Sequence, residues 1–253
     1  MKEFYSKIAN CRIRYHDFAG NGVPCIFIHG LGCASSYEYP DVIIHQNFIP
    51  RAILIDRVGS GFSERPLSFS YTTTMHAKVI IELIEHLSLD EFWLYGHSMG
   101  GSIAIEVATM KPDNLLGLIV SEPNFHAGGG FFSRKIIEHD EETFISTVYS
   151  KMLEEEKSLW AGSLLSNAPW ALWRSAKSLV DGVTPSWMSQ FMSVEAPKLL
   201  IFGEHSLPDG DFSNLSAQGV ETMIVNNAGH SMSWENPASL ADCISRFIKS
   251  KTK

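Results

Sequence analysis

The chain has 253 residues, of which 45% are hydrophobic and 19% charged, and a formal net charge of −8. That composition describes an ordinary globular protein long enough to bury a sizeable core, and it excludes a disordered or fibrous chain. The acidic balance, with no basic run beyond the short tail "KSKTK", argues against nucleic acid or an anionic membrane surface as partner and says little else about partners.

Taken in chain order, the N-terminal stretch "MKEFYSKIANCRIRYHDFAG" alternates polar and apolar residues and lacks the apolar run of a secretion signal. No later segment approaches the roughly 18 consecutive apolar residues of a membrane-spanning helix, so the expected location is cytoplasmic. Cys11, Cys25, Cys33 and Cys243 show no close metal-ligand spacing. Without a secretion signal they are expected to be reduced and mostly buried, and no metal is expected.

Short β-branched runs then recur, each ending in Gly, Asp, Glu or His: "PCIFIHG", "RAILIDRVGSG", "FWLYGHSMGG", "LLGLIVSEP", "PKLLIFGEHS" and "ETMIVNNAGH". Between several of them lie stretches with helical spacing, such as "TMHAKVIIELIEHLSL" and "GSIAIEVATMK". Near-continuous apolar strands alternating with helices predict an α/β fold with a mostly parallel sheet covered on both faces. In such sheets ligands gather outside the carboxyl ends of the strands, where these polar residues sit.

From about Phe125 to Ser193 the alternation breaks, and no buried strand is predicted. That stretch holds four of the six tryptophans, Trp160, Trp170, Trp173 and Trp187. It reads as a helical cap (125–193) inserted into a core domain formed by 1–124 and 194–253. The run "HAGGGFF" is either a hinge leading into the cap or a plain flexible loop.

"WLYGHSMGG" follows a strand pattern and leads straight into a helix. Gly96-His97-Ser98-Met99-Gly100 has the G-x-S-x-G form, in which small residues let a cramped strand-to-helix turn lift the serine oxygen. The helix start aims backbone N–H groups at the place where negative charge develops. Ser98 is therefore the expected nucleophile, with His97 turned away from it.

Here the sequence resembles the α/β-hydrolase superfamily over nearly its whole length. "FIHGLG" is similar to that family's H-G-x-G loop after the third strand. "IDRVGSGFSE" is similar to its D-x-x-G-x-G-x-S segment after the fourth, and "AGHSMSWENP" to its terminal histidine loop. The resemblance implies a central sheet flanked by helices, with the cap inserted after strand six. The N–H groups of Leu31 and Met99 are expected to form an oxyanion hole. His29 reads as structural, and Asp56 and Arg57 as a local pair shaping their loop. "GSGFSE" lacks the spacing and following helix of a dinucleotide fingerprint, so no cofactor is expected.

Serine needs an adjacent base, and His230, in the loop after the last strand-like run, is the expected one. The third member is less direct. The family usually carries an aspartate a few residues after strand seven, where "FGEHSLPDG" places Ser206. Some members, including many haloalkane dehalogenases, carry the acid at the end of strand six instead. "GLIVSE" ends there with Glu122, 24 residues after Ser98 (122 − 98), and Pro123 is expected to keep Glu122 extended on the strand. Glu122 is the preferred acid, with Asp209 and Glu204 as alternatives. The order Ser98, Glu122, His230 matches the superfamily's nucleophile, acid, base.

The expected activity is hydrolysis of a carboxylic ester through an acyl-enzyme, on a small, apolar or aromatic substrate. Carbon–carbon hydrolysis of a diketone-type ring-cleavage product uses the same triad and stands as the enzymatic alternative. Cofactor-free haloperoxidase activity is a side possibility, and a ligand sensor with little turnover is the non-enzymatic one. Dehalogenases and epoxide hydrolases of this superfamily use a carboxylate nucleophile, which serine at position 98 does not provide.

Overall fold

A computed structural model describes residues 1–252. Its frame is one eight-stranded sheet, with strands β1 (Lys2–Ser6), β2 (Cys11–Phe18), β3 (Cys25–Ile28), β4 (Ala52–Ile55), β5 (Phe92–His97), β6 (Leu115–Ser121), β7 (Lys198–Gly203) and β8 (Glu221–Val225), in the order β1-β2-β4-β3-β5-β6-β7-β8. From β4 to β8 every neighbouring pair is parallel, while β1–β2 and β2–β4 are antiparallel. The alternating N-terminal sequence becomes the two antiparallel strands, whose burial also alternates. By contrast, β3, β4 and β5 are buried at every residue, as continuous apolar runs in a doubly covered sheet should be.

The covering helices show why these residues fold as they do. The helix Thr73–His86 buries His76, Ala77, Ile80, Leu83 and Ile84 on one face, and the Thr72 side chain caps it by accepting from Met75 N. The helix Pro237–Lys251 starts with proline in its first turn and an Asn236 cap, and buries Leu240, Ala241, Ile244, Phe247 and Ile248. These two helices belong to separate apolar clusters on opposite faces of the sheet. All four cysteines are free and buried, and no helix among the described residues is long and apolar enough to cross a membrane.

Between β6 and β7 the chain is helical, with no strand among residues 125–193. Part of this stretch packs on itself around Ile136, Phe144, Leu164, Leu172 and Ala176. Its last helix, Trp187–Ser193, instead lies against the helix Met99–Met110, and both Trp187 and Phe191 join the main core.

Pairing register lines up the residues that matter. Gly96 pairs with Ile28 on one side and Val120 on the other, and His97 pairs with Ser121. The first loop residues after β3, β5 and β6 therefore emerge together at one edge of the sheet, at the carboxyl ends of the strands.

Candidate active site

Ser98 sits between β5 and the helix Met99–Met110 with φ +52° and ψ −124°. For a residue with a side chain this is strained backbone, worth about 1–3 kcal/mol, and such strain persists only where packing over-determines it. Two glycines make the packing possible. A Cβ on Gly96 would stand 2.3 Å from the Gly100 carbonyl oxygen, and one on Gly100 would stand 2.1 Å from that of Ile28. Strand, turn and helix are thus in direct backbone contact. The Ser98 hydroxyl has no hydrogen-bond partner in the protein among the described residues, His230 included, and it lines a cavity of about 620 Å³.

His230 lines the same cavity. Its Nδ1 lies 2.6 Å from Glu122 Oε2. A carboxylate only accepts, so this contact puts the proton on Nδ1 and leaves the Nε2 lone pair free. The second oxygen, Glu122 Oε1, accepts from Gly203 N at 2.9 Å. Burial alone would push the Glu122 carboxyl up. The hydrogen bond and charge of His230, the Gly203 N–H and the Ser206 hydroxyl outweigh it and hold the group below its ordinary value.

The backbone at Glu122 is not what Pro123 implies. Glu122 has φ +41°, in the left-handed region and not extended. The strand ends at Ser121, and the chain turns sharply there. Glu122 N bonds to Ile201 O at 3.1 Å, so three contacts from β7 and the His230 loop override the local preference of a residue before proline.

The other acids have different partners. Asp209 caps the helix Gly210–Ala217, accepting from Phe212 N at 2.8 Å. Glu204 Oε2 accepts from Asn227 N at 2.8 Å and braces the loop that leads to His230.

Leu31 also lines the cavity. The Gly30 carbonyl, in the same peptide unit as the Leu31 N–H, is held from behind by Arg57 Nη2 at 2.9 Å and by His29 Nδ1 at 2.9 Å. Because a trans peptide points its C=O and N–H in opposite directions, anchoring the carbonyl aims the Leu31 N–H the other way. Neither Leu31 N nor Met99 N has a protein acceptor among the described residues. His29 is fully buried, with Nε2 accepting from Arg57 N at 3.1 Å; burial, with the nearby Arg57 charge, keeps it well below its usual value.

Asp56 and Arg57 do not form the pair read from the sequence. Asp56 accepts from Ser36 N, Ser36 Oγ and Phe62 N, closing its own turn. Arg57 points to Gly30 O instead, with its ordinary value lowered to about 10 by burial. Adjacent residues leave a strand end in opposite directions, which a sequence reading of the pair overlooked.

The cavity wall is mostly apolar: Leu31, Phe131, Phe132, Trp160, Leu179 and Trp234. Of the four tryptophans in 125–193, only Trp160 reaches it, packed against Phe132 with ring centroids 4.8 Å apart and the rings tilted by 50°. Trp187 is buried and donates to Glu106 Oε1 at 2.9 Å, and Trp173 donates to His139 O at 2.8 Å. Glu38 and His97 also line the cavity, among further polar residues that include Asn124, Glu156 and Ser231. Sequence reading assigned neither Glu38 nor His97 a role.

A family model described as "alpha/beta hydrolase fold" matches residues 23–142. Haloalkane dehalogenase 2 of Mycobacterium tuberculosis is 36% identical over 114 residues, which is 45% of this chain but 39% of that protein. The chain thus matches well under half the length of that relative. A putative 2-succinyl-6-hydroxy-2,4-cyclohexadiene-1-carboxylate synthase of Bacillus subtilis is 26% identical and covers 92% of both chains. Among solved structures, a thermophilic esterase from Thermogutta terrifontis superposes with a TM-score of 0.81 at 18% identity, covering 100% of both chains. An esterase from Exiguobacterium antarcticum gives 0.79 at 18% identity, covering 98% of this chain and 100% of that one. At such identities the structural likeness speaks for the fold alone.

Proposed function

The chain belongs to the α/β-hydrolase superfamily, and on that premise we propose that it is a serine hydrolase cleaving a carboxylic ester of a small, apolar or aromatic substrate. The observation that carries this reading is the 2.6 Å contact from His230 Nδ1 to Glu122, in the cavity that Ser98 lines. With Nδ1 protonated against the carboxylate, Nε2 is left to act as base.

Ser98 Oγ attacks the ester carbonyl carbon and gives its proton to His230 Nε2, forming a tetrahedral intermediate. The N–H groups of Leu31 and Met99 hold the oxyanion. The carbon–oxygen bond to the alcohol breaks, and the departing oxygen takes the proton from His230. Water then adds to the acyl-enzyme, giving its proton to His230, which returns it to Ser98 as the acid departs. Glu122 stays ionised and stabilises the imidazolium in both halves.

The aromatic and aliphatic part of the lining, Leu31, Phe131, Phe132, Trp160, Leu179 and Trp234, suits an ester with an apolar or aromatic acyl part. Serine at position 98 speaks against the dehalogenase chemistry of the 36%-identical relative, which in this superfamily needs a carboxylate nucleophile. A second reading, cleavage of a carbon–carbon bond in a ring-cleavage product, draws support from a 2-hydroxymuconate semialdehyde hydrolase of Pseudomonas putida, 29% identical over 44% of this chain.

The test is hydrolysis of short p-nitrophenyl esters by wild type and Ser98→Ala, run beside a panel of ring-cleavage products. Clear turnover of the esters that disappears in Ser98→Ala is expected. Turnover of the ring-cleavage products alone would favour the second reading. Ligand-induced stabilisation with no turnover of either panel would point to a sensor.

A further inference from the structure

Under the Ser98 turn lies a second carboxylate–imidazole pair that the scheme above does not use. Glu38 ends the short helix Ser35–Glu38 and is 2% exposed; His97 ends β5 and is 6% exposed. Glu38 Oε1 lies 3.1 Å from His97 Nδ1, off the line of a hydrogen bond, so the contact is one of charge. On the far side of the ring, His97 Nε2 is 2.8 Å from the main-chain oxygen of His230.

A carbonyl oxygen only accepts, so Nε2 carries a proton, while Nδ1 faces a carboxylate that also accepts. A doubly protonated ring satisfies both contacts. Burial alone would push His97 down. The Glu38 carboxylate beside it, the charge of Glu122 and the His230 carbonyl together raise it above its usual value.

Such a pair is expensive to bury, and apolar residues of the same volume are often as stable or more so. Glu38 Oε2 even lacks a partner among the described residues. What this pair does that apolar residues could not is grip the main chain of the base. Glu38 holds the same segment a second time, because Ser233 Oγ donates to its Oε1 at 3.3 Å. Ser233 lies in the short helix Met232–Glu235, which begins two residues after His230. The His97 and His230 rings stand 4.7 Å apart. The His230 side chain is itself 52% exposed, so burial does not fix it in place. Its position depends on Glu122 at one ring nitrogen and on its anchored backbone.

We propose that His97 and Glu38 are positioning residues that clamp the backbone of the His230 loop and so hold the imidazole over Ser98. The inference rests on the serine-hydrolase reading above.

The experiment compares kcat and KM on the best p-nitrophenyl ester, with thermal unfolding as a folding check. His97→Phe keeps a ring but has no donor. His97→Gln keeps an N–H that can reach the His230 carbonyl. His97→Phe should lower kcat about 10- to 100-fold with KM held within about twofold, the size expected when a reacting group is displaced by about an ångström. His97→Gln should recover kcat to within about fivefold of wild type, and Glu38→Gln should fall between the two. Wild-type kcat in His97→Phe, or a His97→Gln as slow as His97→Phe, would overturn the proposal. If His97→Phe does not fold, an unchanged kcat in Glu38→Gln overturns it and a reduced kcat at steady KM supports it. Ser98→Ala separates the two layers. If it still turns over, the serine-hydrolase reading fails and the clamp with it. If it is inactive while His97→Phe behaves as wild type, the clamp alone fails.

Discussion

Glu122 shows how a single residue can be held against its local preference. Its backbone sits at φ +41° immediately before a proline, and its carboxylate is taken up by Gly203 N and His230 Nδ1. An ionised group in that position stabilises the imidazolium that forms when His230 takes a proton, and an amide does not. Glu122→Gln is therefore expected to lower kcat by about 10⁴, the loss seen when a triad acid is replaced by its amide. Asp209→Asn should leave kcat within about threefold, because Asp209 caps a helix and asparagine caps it about as well. Steady-state kinetics on the two variants decides the ranking, and the reverse order would move the acid to the segment after β7. At this scale sequence was a partial guide. Ser98, His230 and Glu122, which meet at one cavity, are each marked in the sequence by a motif or by an ill-placed carboxylate at a strand end. Glu38 and His97 do not, being 59 positions apart (97 − 38) and brought together only by the pairing of β3 with β5. Asp56 and Arg57 invited the opposite error, since neighbours in sequence were read as partners although their side chains diverge.

Among the elements, the strand-turn-helix unit around Ser98 has the least freedom. The helix Met99–Met110 approaches β3 so closely that the Gly100 Cα faces the Ile28 carbonyl. Gly100→Ala would force a methyl group to 2.1 Å from that oxygen, and backbone cannot yield as a flexible side chain does. A loss of about 1–3 kcal/mol is expected from overpacking, read as a lower denaturant midpoint at unchanged slope. An unchanged midpoint would mean that the turn has slack. The strands from β3 to β7 were legible because buried parallel strands are written as unbroken apolar runs, whichever helices cover them. The stretch 125–193 was legible only as an absence of such runs. Its division was not, because the helix Trp187–Ser193 is held to the main core by apolar contacts and by the bond from Trp187 to Glu106. Neither leaves a periodic signal.

For the molecule as a whole, residues far apart in the chain share one cavity: Leu31 after β3, Ser98 after β5, Glu122 after β6, Phe132 and Trp160 from the helical stretch, and His230 after β8. The loops at the strand ends bring Ser98, Glu122 and His230 to it, and the helical stretch adds much of its aromatic wall together with the polar residues Ser133, Glu156 and Ser158. Sequence therefore pointed to a reaction type more firmly than to a substrate. The proposed catalytic residues follow strand ends fixed by register, whereas much of the wall comes from helices whose packing no motif encodes. The central claim, that Ser98 is a nucleophile activated by His230, is tested most directly by intact-mass and peptide mass spectrometry after treatment with an alkyl phosphonofluoridate, in which a nucleophilic serine oxygen displaces fluoride at phosphorus. The account predicts one adduct per chain, on the peptide that carries Ser98, lost in Ser98→Ala and formed far more slowly in His230→Ala. An adduct absent from Ser98, or formed as fast without the His230 imidazole as with it, would contradict it.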